Sequence, residues 1–442
     1  MRLFGTDGVR GKANTELTPE LAQLLGRAAA AILASPGRPV FVLGRDTRVS
    51  GQMLGMALAS GLMSAGVEVW DAGVIPTPAL AYITRSVGAS AGVMISASHN
   101  PAIDNGIKFF SGDGFKLTDH VEEEIEAKLR DVKCLPRALG TDVGTLSYRP
   151  ELADLYTSHL REISAPLSGL SVVIDCANGA ASWIAPEFFA QLGAQLEIMG
   201  CGPDGRNINV DCGSTHPERM QQLVRERRAD IGLAFDGDAD RLIACDAQGR
   251  LVDGDSMLAI CALHRKATGK VASNIVAGTV MSNFGLDALL ERENIEMVRT
   301  KVGDRYLLDE MRQRGAVLGA EQSGHCIFLD HSTTGDGLLS AVMLLNVMVE
   351  RGATLAELDG QWERYPQVLI NVPVTDRNSA MSREHVKEAI SRANHAISGR
   401  GRLLVRPSGT ENLVRVMVEA KCNKIAHEVA VIVVDALKQT SA

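Results

Sequence analysis

Val93-Met-Ile-Ser-Ala-Ser-His-Asn-Pro101 shows the pattern on which the rest of this chain is built. Its apolar start, Val93 to Ile95, predicts a buried strand, and the residues after it form a polar turn that ends at a helix-breaking proline. The turn places Ser98 beside His99, a pair typical of nucleophilic chemistry, although neighbours in sequence need not meet in space. A Ser/Asn/Pro turn that merely closes a strand is the alternative. Motifs elsewhere in the chain decide between the two.

Strand and helix patterns alternate from one end of the 442-residue chain to the other, which predicts an α/β fold. Examples are a capped helix from Thr18 through Ala34 and a strand from Asp230 to Phe235. Three successive blocks each place a Gly-rich polar loop after an apolar strand, and a smaller fourth block has an α+β pattern. A chain of this length is expected to form several domains. The predicted boundaries are 1–150, 151–253, 254–365 and 366–442.

The composition argues against several classes of protein. Apolar residues make up 45% of the chain and charged residues 22%, as in ordinary globular proteins. The formal net charge of −8 argues against a dedicated nucleic-acid partner. The most apolar helix pattern, Ala341 to Val349, is too short to span a membrane, and the start of the chain lacks an apolar signal segment. The eight cysteines are scattered without a C-x-x-C pair, which indicates reduced thiols and a cytoplasmic location.

A dense acidic cluster follows the strand that ends at Phe235. Asp236, Asp238 and Asp240 place three carboxylates at alternate positions, and like charges this close repel unless a cation neutralises them. Oxygen ligands favour a hard ion, with Mg²⁺ ahead of Ca²⁺ or Mn²⁺. An EF-hand is excluded because Arg241 stands where that loop needs glycine. A solvated acidic turn is the alternative, but the position after a buried strand favours a magnesium site that also takes a phosphate oxygen.

Arg406-Pro-Ser-Gly-Thr410 joins two predicted strands of the fourth block. It offers a guanidinium, two hydroxyls and a glycine that frees backbone N–H groups, which together suit an anion. Arg415 adds a second cation. The set predicts a phosphate cradle, and a polar hairpin connection is the alternative. Because the sequence has no Walker-type loop, a nucleotide phosphate is not the expected occupant.

Two further loops pair glycine with arginine, namely Gly5-Thr-Asp-Gly-Val-Arg-Gly11 and Gly44-Arg-Asp-Thr-Arg48. Together they predict a second anion site near the serine, formed by Arg10, Arg45 and Arg48. Each loop alone fits an ordinary Gly/Asp turn with a solvated arginine.

Glu321-Gln-Ser-Gly-His325 follows another predicted strand. It supplies a carboxylate, a hydroxyl and an imidazole, a mixture of donors and acceptors that suits sugar hydroxyls. A structural turn explains the isolated motif equally well.

Taken together, these motifs resemble the α-D-phosphohexomutase family over essentially the whole chain and occur in the order found there. Phe4-Gly-Thr-Asp-Gly-Val-Arg-Gly11, Ile95-Ser-Ala-Ser-His-Asn-Pro101 and Glu321-Gln-Ser-Gly-His325 are most similar to the forms in bacterial members that act on glucosamine phosphates. Asn412 departs from the proline expected in the phosphate loop, but it lies beside the ligating positions. The resemblance implies three related α/β/α three-layer domains and a smaller C-terminal α+β domain.

The resemblance also implies an activity, the reversible conversion of glucosamine 6-phosphate into glucosamine 1-phosphate on the route to UDP-N-acetylglucosamine. The enzyme would be an isomerase that works through glucosamine 1,6-bisphosphate with one Mg²⁺ per chain, and a homodimer is implied as well. A phosphomannomutase or phosphoglucomutase of the same family is the alternative. More distant alternatives are a hydrolase that releases phosphate and a non-catalytic phosphosugar-binding protein.

Carried onto this sequence, the resemblance gives each motif a role. Ser98 would be the phosphoserine, and Ser98 with its phosphate would bind Mg²⁺ together with Asp236, Asp238 and Asp240. The sugar would be bound by Glu321, Ser323 and His325. The non-reacting phosphate would be held by Arg406, Ser408, Gly409, Thr410 and Arg415. Lys108 is the first candidate for the general base, supported by Arg10 and His99, and its pKa would have to fall through burial near other cations.

Overall fold

The structure has the alternating strands and helices that the sequence predicts, so the expected α/β class is confirmed. It is a computed structural model and describes residues 3–5, 7–269, 274–408 and 412–439. The strands form four separate sheets, one within each predicted block. Within the described ranges, no helix combines the length and apolar character that a membrane span needs.

The first block forms a six-stranded sheet. Its strands are β1 (Val9–Lys12), β2 (Val40–Arg45), β3 (Glu68–Val74), β4 (Ala91–Ile95), β5 (Asp104–Ser111) and β6 (Leu146–Tyr148). Its helices are α1 (Pro19–Leu33), α2 (Val49–Ser64), α3 (Thr77–Ser86) and α4 (Asp119–Leu129). The spatial order is β1-β5-β4-β2-β3-β6. Strand β2 runs parallel to β3 and β4, whereas β5 runs antiparallel to β4 and β1.

The side chains of this sheet alternate between two apolar layers, because successive residues of a strand point to opposite faces. On one face, Phe41, Leu43 and Val93 share a buried cluster with residues of α1, α2 and α4. On the other face, a Cβ placed on Gly44 or Gly92 would meet side chains of α3 or of the turn before it. The first block is therefore a three-layer α/β/α sandwich, as the resemblance implies.

The second and third blocks repeat a sheet with a parallel core. The second contains α5 (Ala153–Glu162), β7 (Ser171–Asp175), α6 (Ala185–Gln191), β8 (Gln195–Met199), α7 (Glu218–Arg227), β9 (Ile231–Phe235), β10 (Leu242–Asp246) and β11 (Leu251–Val252). The third contains α8 (Gly254–Ala267), β12 (Ile275–Thr279), α9 (Phe284–Arg292), β13 (Glu296–Thr300), α10 (Asp304–Arg314), β14 (Leu318–Ala320), β15 (Cys326–Phe328), α11 (Gly337–Arg351) and α12 (Leu355–Asp359). Their sheet orders are β11-β10-β9-β7-β8 and β13-β12-β14-β15.

The fourth block is an antiparallel sheet with helices, of the predicted α+β type. Its elements are β16 (Gln367–Pro373), α13 (Arg377–Ser382), α14 (Glu384–Ile397), β17 (Gly401–Pro407), β18 (Leu413–Ala420) and α15 (Asn423–Lys438). Strand β18 lies between β16 and β17 and runs antiparallel to both. Apolar residues of α14 and α15 form one buried cluster with the sheet.

The same hairpin recurs in the first three sheets. In each, a strand of the parallel core turns back into an antiparallel neighbour. The turns are 96–103 between β4 and β5, 236–241 between β9 and β10, and 321–325 between β14 and β15. These are three of the polar loops singled out in the sequence. The predicted repetition of strand and polar loop is therefore a repeated hairpin.

Several predicted elements differ from the structure. The sequence predicts helices that begin near Met53 and at Ser382. In the structure α2 begins at Val49 and α14 at Glu384, and the short helix α13 before it was not predicted. Strand β6, near the end of the first predicted block (1–150), was not predicted as a strand; it pairs with β3 and so belongs to the first sheet. Helix α10 was not predicted, because its start follows Gly303 and has no side-chain cap.

By its contacts the chain divides into two units, 1–281 with 297–359 and 282–296 with 360–442. The second unit therefore includes α9, which the predicted boundaries assign to the third block. Within this unit, the Asn283 amide donates to the Tyr365 carbonyl oxygen at 2.9 Å and accepts from its N–H at 2.9 Å. The four predicted domain boundaries remain predictions.

Candidate active site

The three hairpin turns meet inside the first unit. The N–H of Thr77, at the start of α3, donates to the Asp238 carbonyl oxygen at 2.9 Å, and the N–H of Leu242 donates to the Gly324 carbonyl oxygen at 3.0 Å. The serine turn and the aspartate turn lie so close that a Cβ on Gly237 would be 2.5 Å from the Ser98 carbonyl oxygen. Glycine at 237 is therefore required for this close approach.

Ser98 is held tightly at the centre of this junction. It is 1% exposed, and its φ of 51° lies in the left-handed region that non-glycine residues rarely adopt. Its carbonyl oxygen accepts hydrogen bonds from Arg48 Nη2 and Asn209 Nδ2, both at 2.9 Å. Its hydroxyl donates to Asp236 Oδ2 at 2.5 Å. The strained backbone is thus fixed by partners from two blocks, and the nucleophilic oxygen points at the acidic cluster.

The acidic cluster has the properties of a cation site. Asp236, Asp238 and Asp240 are at most 3% exposed, and one carboxylate oxygen from each lies within 4.8 Å of the others. Burial and the two neighbouring carboxylates raise the pKa of Asp236 well above its usual range. Among the described residues, Asp238 Oδ1 and Asp240 Oδ1 find no hydrogen-bond donor although they are buried. Such oxygens fit a hard divalent cation, which would satisfy them and relieve the repulsion.

Lys108, on β5, is a buried cation between two carboxylates. It is 2% exposed, and its Nζ lies 2.8 Å from Asp238 Oδ2 and 2.9 Å from Asp7 Oδ2. Burial alone would lower the pKa of Lys108, but the charges of Asp238 and Asp7 outweigh it and raise that pKa. The expectation that neighbouring cations lower this pKa is therefore wrong for this arrangement, because the nearest charges are negative. As a candidate base, Lys108 begins in its protonated form.

Arg10 and His99 flank the same centre in different charge states. Arg10 Nη2 donates to Asp7 Oδ2 at 2.5 Å, and although burial opposes it, Asp7 raises the pKa of the guanidinium. His99 Nδ1 lies 3.3 Å from Ser98 Oγ. Burial, followed by the positive charges of Arg241 and Arg10, lowers the pKa of His99 to about 4. At neutral pH His99 is therefore an uncharged neighbour of the serine hydroxyl.

The predicted sugar-binding residues take three different positions on the 321–325 turn. Ser323 is exposed, whereas Glu321 is largely buried and its Oε1 accepts from the Gly303 N–H at 2.8 Å. His325 is 2% exposed, with Nδ1 3.6 Å from Asp240 Oδ2. Burial lowers the pKa of His325, but Asp240 outweighs it and raises that pKa. His325 therefore lies against the acidic cluster, while Ser323 is free to meet a ligand.

The predicted phosphate cradle lies in the second unit, at the end of the β17–β18 hairpin. Arg406 stands directly opposite Arg415 across these strands, and the Ser408 N–H donates to the Leu413 carbonyl oxygen at 2.9 Å. Two like charges placed directly opposite repel each other, so an anion between them would be stabilising. Arg415 Nε is buried and has no hydrogen-bond partner among the described residues. Gly409 and Thr410 lie outside the described residues.

The prediction that Arg45 and Arg48 of the 44–48 loop form a second anion site is wrong. Arg48 is fully buried, with Nε 3.3 Å from Asp46 and Nη2 on the carbonyl oxygens of Ser98 and Asn100, so it is a structural support of the serine turn. Arg45 pairs instead with Asp71 at 2.8 Å. The sequence of the loop could not show that Arg45 and Arg48 are already paired with groups inside the protein.

Sequence reasoning also missed a ladder of alternating charges that leads into the site. Asp7 contacts Lys108, and the Lys116 Nζ contacts both Asp7 Oδ1, at 2.7 Å, and Asp304. The ladder thus joins the first block to the start of α10 in the third. Asp7 lies in the Gly-rich loop 5–11, so the sequence could have identified it as a site residue. Nothing around Lys116 or Asp304 in the sequence distinguishes them from surface charges.

Arg241 is a further missed neighbour, although it directly follows the acidic motif. Burial would lower the pKa of Arg241, but Asp240 and Asp236 outweigh that and raise it. Its position in the sequence, directly after three clustered carboxylates, could have identified Arg241 as a residue of the site.

Comparison with known proteins agrees with this arrangement. Four domain descriptions of the phosphoglucomutase/phosphomannomutase family match in order: α/β/α domain I at 1–134, domain II at 154–249, domain III at 253–365 and the C-terminal domain at 369–436. The crystal structure of a family member from Burkholderia thailandensis has a TM-score of 0.85 and 25% identity, covering 99% of this chain and 97% of that one.

The chain therefore belongs to the phosphoglucomutase/phosphomannomutase family, the class of phosphohexomutases that the fold and the serine–aspartate centre define. Within that class it is similar to phosphoglucosamine mutases. The one from Desulforamulus reducens is 54% identical over 95% of each chain. The one from Shouchella clausii is 52% identical over 99% of each chain.

Proposed function

We propose that this chain interconverts glucosamine 6-phosphate and glucosamine 1-phosphate through a phosphorylated Ser98. The observation that carries the proposal is the 2.5 Å hydrogen bond from the Ser98 hydroxyl to Asp236, inside a buried carboxylate cluster. The choice of an amino sugar is supported by phosphoglucosamine mutases that are more than half identical over nearly the whole chain.

Phosphoryl transfer asks a protein mainly to position groups and neutralise charge. Phospho-Ser98 gives its phosphoryl group to the free sugar hydroxyl, which yields glucosamine 1,6-bisphosphate. The intermediate turns end for end, and its other phosphate returns to Ser98. The two carbonyl clamps, Arg48 and Asn209, keep the serine backbone in place through both transfers. His99 lies beside the serine oxygen and supports it. Because His99 is uncharged at neutral pH, it does not compete with other cations for the negative charge of the phosphoryl group.

Asp236, Asp238 and Asp240 would hold the cation, and their unpartnered buried oxygens are the observation that favours it. Mg²⁺ bound there would neutralise charge on the transferring phosphoryl group and, by engaging Asp238, lower the pKa of Lys108. Lys108 remains the proposed acceptor of the sugar hydroxyl proton. In its protonated form it neutralises the phosphoryl oxygens instead.

Recognition of the substrate is divided between two loops in this proposal. Ser323 and Glu321 bind sugar hydroxyls, supported by the exposure of Ser323 and by the mixture of donor and acceptor groups. Arg406, Ser408 and Arg415, with Gly409 and Thr410, hold the phosphate that does not react. The facing arginines support that role, because an anion between them would relieve their mutual repulsion.

A substrate panel tests the proposed function. Wild type and Ser98→Ala are assayed on glucosamine 6-phosphate, glucose 1-phosphate and mannose 1-phosphate. We expect wild type to prefer the amino sugar and Ser98→Ala to lose nearly all turnover while still binding sugar phosphate. Ser214→Ala is the matched control, because the Ser214 hydroxyl is buried and unpartnered among the described residues, so its removal leaves activity intact. A strong preference for glucose or mannose phosphate would instead make the chain a phosphoglucomutase or phosphomannomutase.

Two measurements separate the mutase from the more distant alternatives. Intact-mass analysis is expected to show a phosphorylated fraction after incubation with a sugar bisphosphate, mapped to Ser98. Inorganic phosphate appearing in step with substrate loss would indicate a hydrolase. Binding without turnover in the wild type would indicate a phosphosugar-binding protein.

We further propose a cytoplasmic homodimer. The cytoplasm is supported by eight cysteines that are all free thiols, as expected in a reducing compartment. The dimer is supported by resemblance alone, and light scattering coupled to size exclusion measures it directly.

A further inference from the structure

Outside the proposed site, two neighbouring strands of the second sheet bring two thiols together. Cys176 directly follows β7, and Cys201 lies two residues after β8, which runs parallel to β7. The Cys176 N–H donates to the Met199 carbonyl oxygen at 3.1 Å, and the Asn178 N–H donates to Gly200 at 2.5 Å. The register that pairs Asp175 with Met199 therefore brings Cys176 beside Gly200, the residue before Cys201. Neighbouring strands are about 4.8 Å apart, which is within the spacing that a disulfide bridges.

The two thiols have different chemical character. Cys201 is partly exposed, and its Sγ donates to the Ser182 carbonyl oxygen at 2.9 Å. The neighbouring thiol of Cys176 lowers the pKa of Cys201 to about 7, against the effect of burial. The thiol of Cys201, together with burial, raises the pKa of Cys176 well above its usual range. A reactive thiolate beside a buried second thiol is the arrangement found in peroxide-sensing cysteine pairs.

We propose that Cys176 and Cys201 form a peroxide-sensitive disulfide pair that controls the geometry of the Ser98 turn. In the first step the Cys201 thiolate attacks an oxygen of hydrogen peroxide, so an S–O bond forms, the O–O bond breaks and the leaving hydroxide takes a proton to become water. In the second step the sulfur of Cys176 attacks the Cys201 sulfenic acid. The S–S bond forms, the S–O bond breaks, and hydroxide leaves with the Cys176 proton as water. Two thiols and one peroxide give one disulfide and two waters.

The pair is connected to Ser98 by two short hydrogen-bond paths. The carbonyl oxygen of Ala177 accepts from the Asn209 N–H at 2.9 Å, and the Asn209 amide in turn donates to the Ser98 carbonyl oxygen. The carbonyl oxygen of Asn178 accepts from Thr47 Oγ1 at 2.6 Å, one residue before the Arg48 clamp.

The turn that carries Cys176 has little room to absorb a crosslink. Ala177 and Asn178 both have positive φ, and a Cβ on Gly200 would overlap Asp175 Oδ1. Drawing the two sulfurs to bond distance therefore moves the Ala177 and Asn178 carbonyl oxygens. The Ser98 backbone loses its alignment as a result.

The crosslink is tested by mass, independently of enzyme activity. Cys134 and Cys422 are exposed, and the other five cysteines besides Cys201 are buried, so Cys134→Ser/Cys422→Ser leaves Cys201 as the accessible thiol. Treatment of this variant with hydrogen peroxide is expected to remove two hydrogens per chain and to join the peptides of Cys176 and Cys201. Adding Cys201→Ser, which keeps a donor for Ser182, is expected to abolish the crosslink.

Two results would overturn the disulfide. One is oxidation of Cys201 to sulfinic acid with no crosslink. The other is a crosslink to Cys212, whose Sγ lies 3.6 Å from Asn178 Nδ2 on the same turn.

The effect on activity rests on the proposed mutase function and is measured separately. Oxidation of the Cys134→Ser/Cys422→Ser variant is expected to lower turnover by about tenfold or more, since small misplacements of reacting groups cost up to about 10²-fold. Dithiothreitol should restore it, and the variant that also carries Cys201→Ser should keep its turnover in peroxide. A mapped disulfide with unchanged turnover would refute control of the Ser98 turn. A mapped disulfide in a protein with no mutase activity before oxidation would refute the proposed function instead.

Discussion

Asp238 shows how several demands meet on one side chain. Its Oδ2 accepts from Thr77 Oγ1 at 2.6 Å and from Lys108 at 2.8 Å, whereas its buried Oδ1 has no hydrogen-bond partner among the described residues. One oxygen thus fixes the carboxylate against α3 and β5, and the other is left for a cation. An amide keeps the shape of the group but loses the charge.

We therefore expect Asp238→Asn to weaken Mg²⁺ binding by at least about tenfold, since even outer-shell changes at metal sites cost 10- to 100-fold. Isothermal titration with Mg²⁺, and the Mg²⁺ concentration for half-maximal turnover, measure it. Asp246→Asn is the matched control, because Asp246 is also buried but its carboxylate accepts from Gln248 and Arg250 of its own hairpin. Equal Mg²⁺ affinity in the two variants would mean that Asp238 is not a ligand of the cation.

At the scale of elements, the contact between the serine and aspartate hairpins depends on the absence of a side chain at Gly237. A Cβ there would lie 2.5 Å from the Ser98 carbonyl oxygen and 2.9 Å from Asn209 Nδ2. Gly237 has no positive φ, so alanine is excluded by space and not by backbone conformation.

Gly237→Ala is expected to lower turnover on the order of 10²-fold by displacing Ser98, with a stability loss of about 1–3 kcal/mol from overpacking. Steady-state assays and urea unfolding measure the two effects. Gly202→Ala is the control, because nothing lies within 4 Å of its added Cβ and its φ is ordinary. Wild-type turnover in Gly237→Ala would mean that the two hairpins can separate without cost.

Helix α11 carries a pH-dependent cap. Asp336 Oδ1 accepts from the Leu339 N–H at 2.9 Å and from the Tyr156 hydroxyl at 2.8 Å. Burial raises the pKa of Asp336 to about 7, although these hydrogen bonds oppose the shift. In the unfolded chain the pKa is about 3.9. The folded protein therefore holds an extra proton between about pH 4 and pH 7, so stability falls as the pH rises through that window and is level above it.

Asp336→Asn keeps the accepting oxygen and removes the titration. As the pH rises from 5 to 8, the unfolding free energy of the variant is expected to increase by roughly 2–4 kcal/mol relative to that of wild type, because one unit of pKa shift corresponds to about 1.4 kcal/mol. Denaturant unfolding of both proteins at pH 5 and at pH 8 measures the difference. Asp253→Asn, which makes the same change at the partly exposed N-cap of α8, serves as the control for the substitution of a capping carboxylate. The same pH dependence in both variants would show that Asp336 is not the titrating group.

The elements that position the site were predictable to the extent that they end in polar turns. Strands β4, β9 and β14 were recognisable as apolar runs, and the loops after them were singled out correctly. Helix α10 was missed because most of its residues are charged or polar and only Leu307, Leu308 and Met311 are buried. The pairing of Lys116 with Asp304 joins positions 188 residues apart, and no local pattern encodes such a contact.

For the whole molecule, the contact units cut across the predicted block boundaries. The second unit is assembled from two separate stretches of chain, and Asn283 joins them. Its side chain pairs with both backbone groups of Tyr365 and also accepts from the Gly285 N–H at 2.9 Å as the N-cap of α9. Sequence periodicity located α9 but could not show which sheet it accompanies.

Asn283→Ala is expected to destabilise the second unit by about 3 kcal/mol, because it leaves buried backbone groups unpaired and removes a helix cap. Hydrogen exchange of the peptide that contains β16 reports on this unit separately from the first. Asn394→Ala, on the exposed face of α14, is the control and should leave that exchange unchanged. Equal protection in the two variants would mean that the 282–296 stretch is not needed to hold the unit together.

The burial of Ser98 has a consequence for how the cell keeps this protein primed. Protein kinases and phosphatases act on extended peptide, whereas Ser98 is 1% exposed, lies in a tight turn and is held by its carbonyl oxygen. Under the proposed function, a phosphate on Ser98 is therefore out of their reach for as long as the protein stays folded. In the proposed reaction, a small phosphorylated sugar delivers and removes it. The fraction of active molecules then follows the concentration of that metabolite.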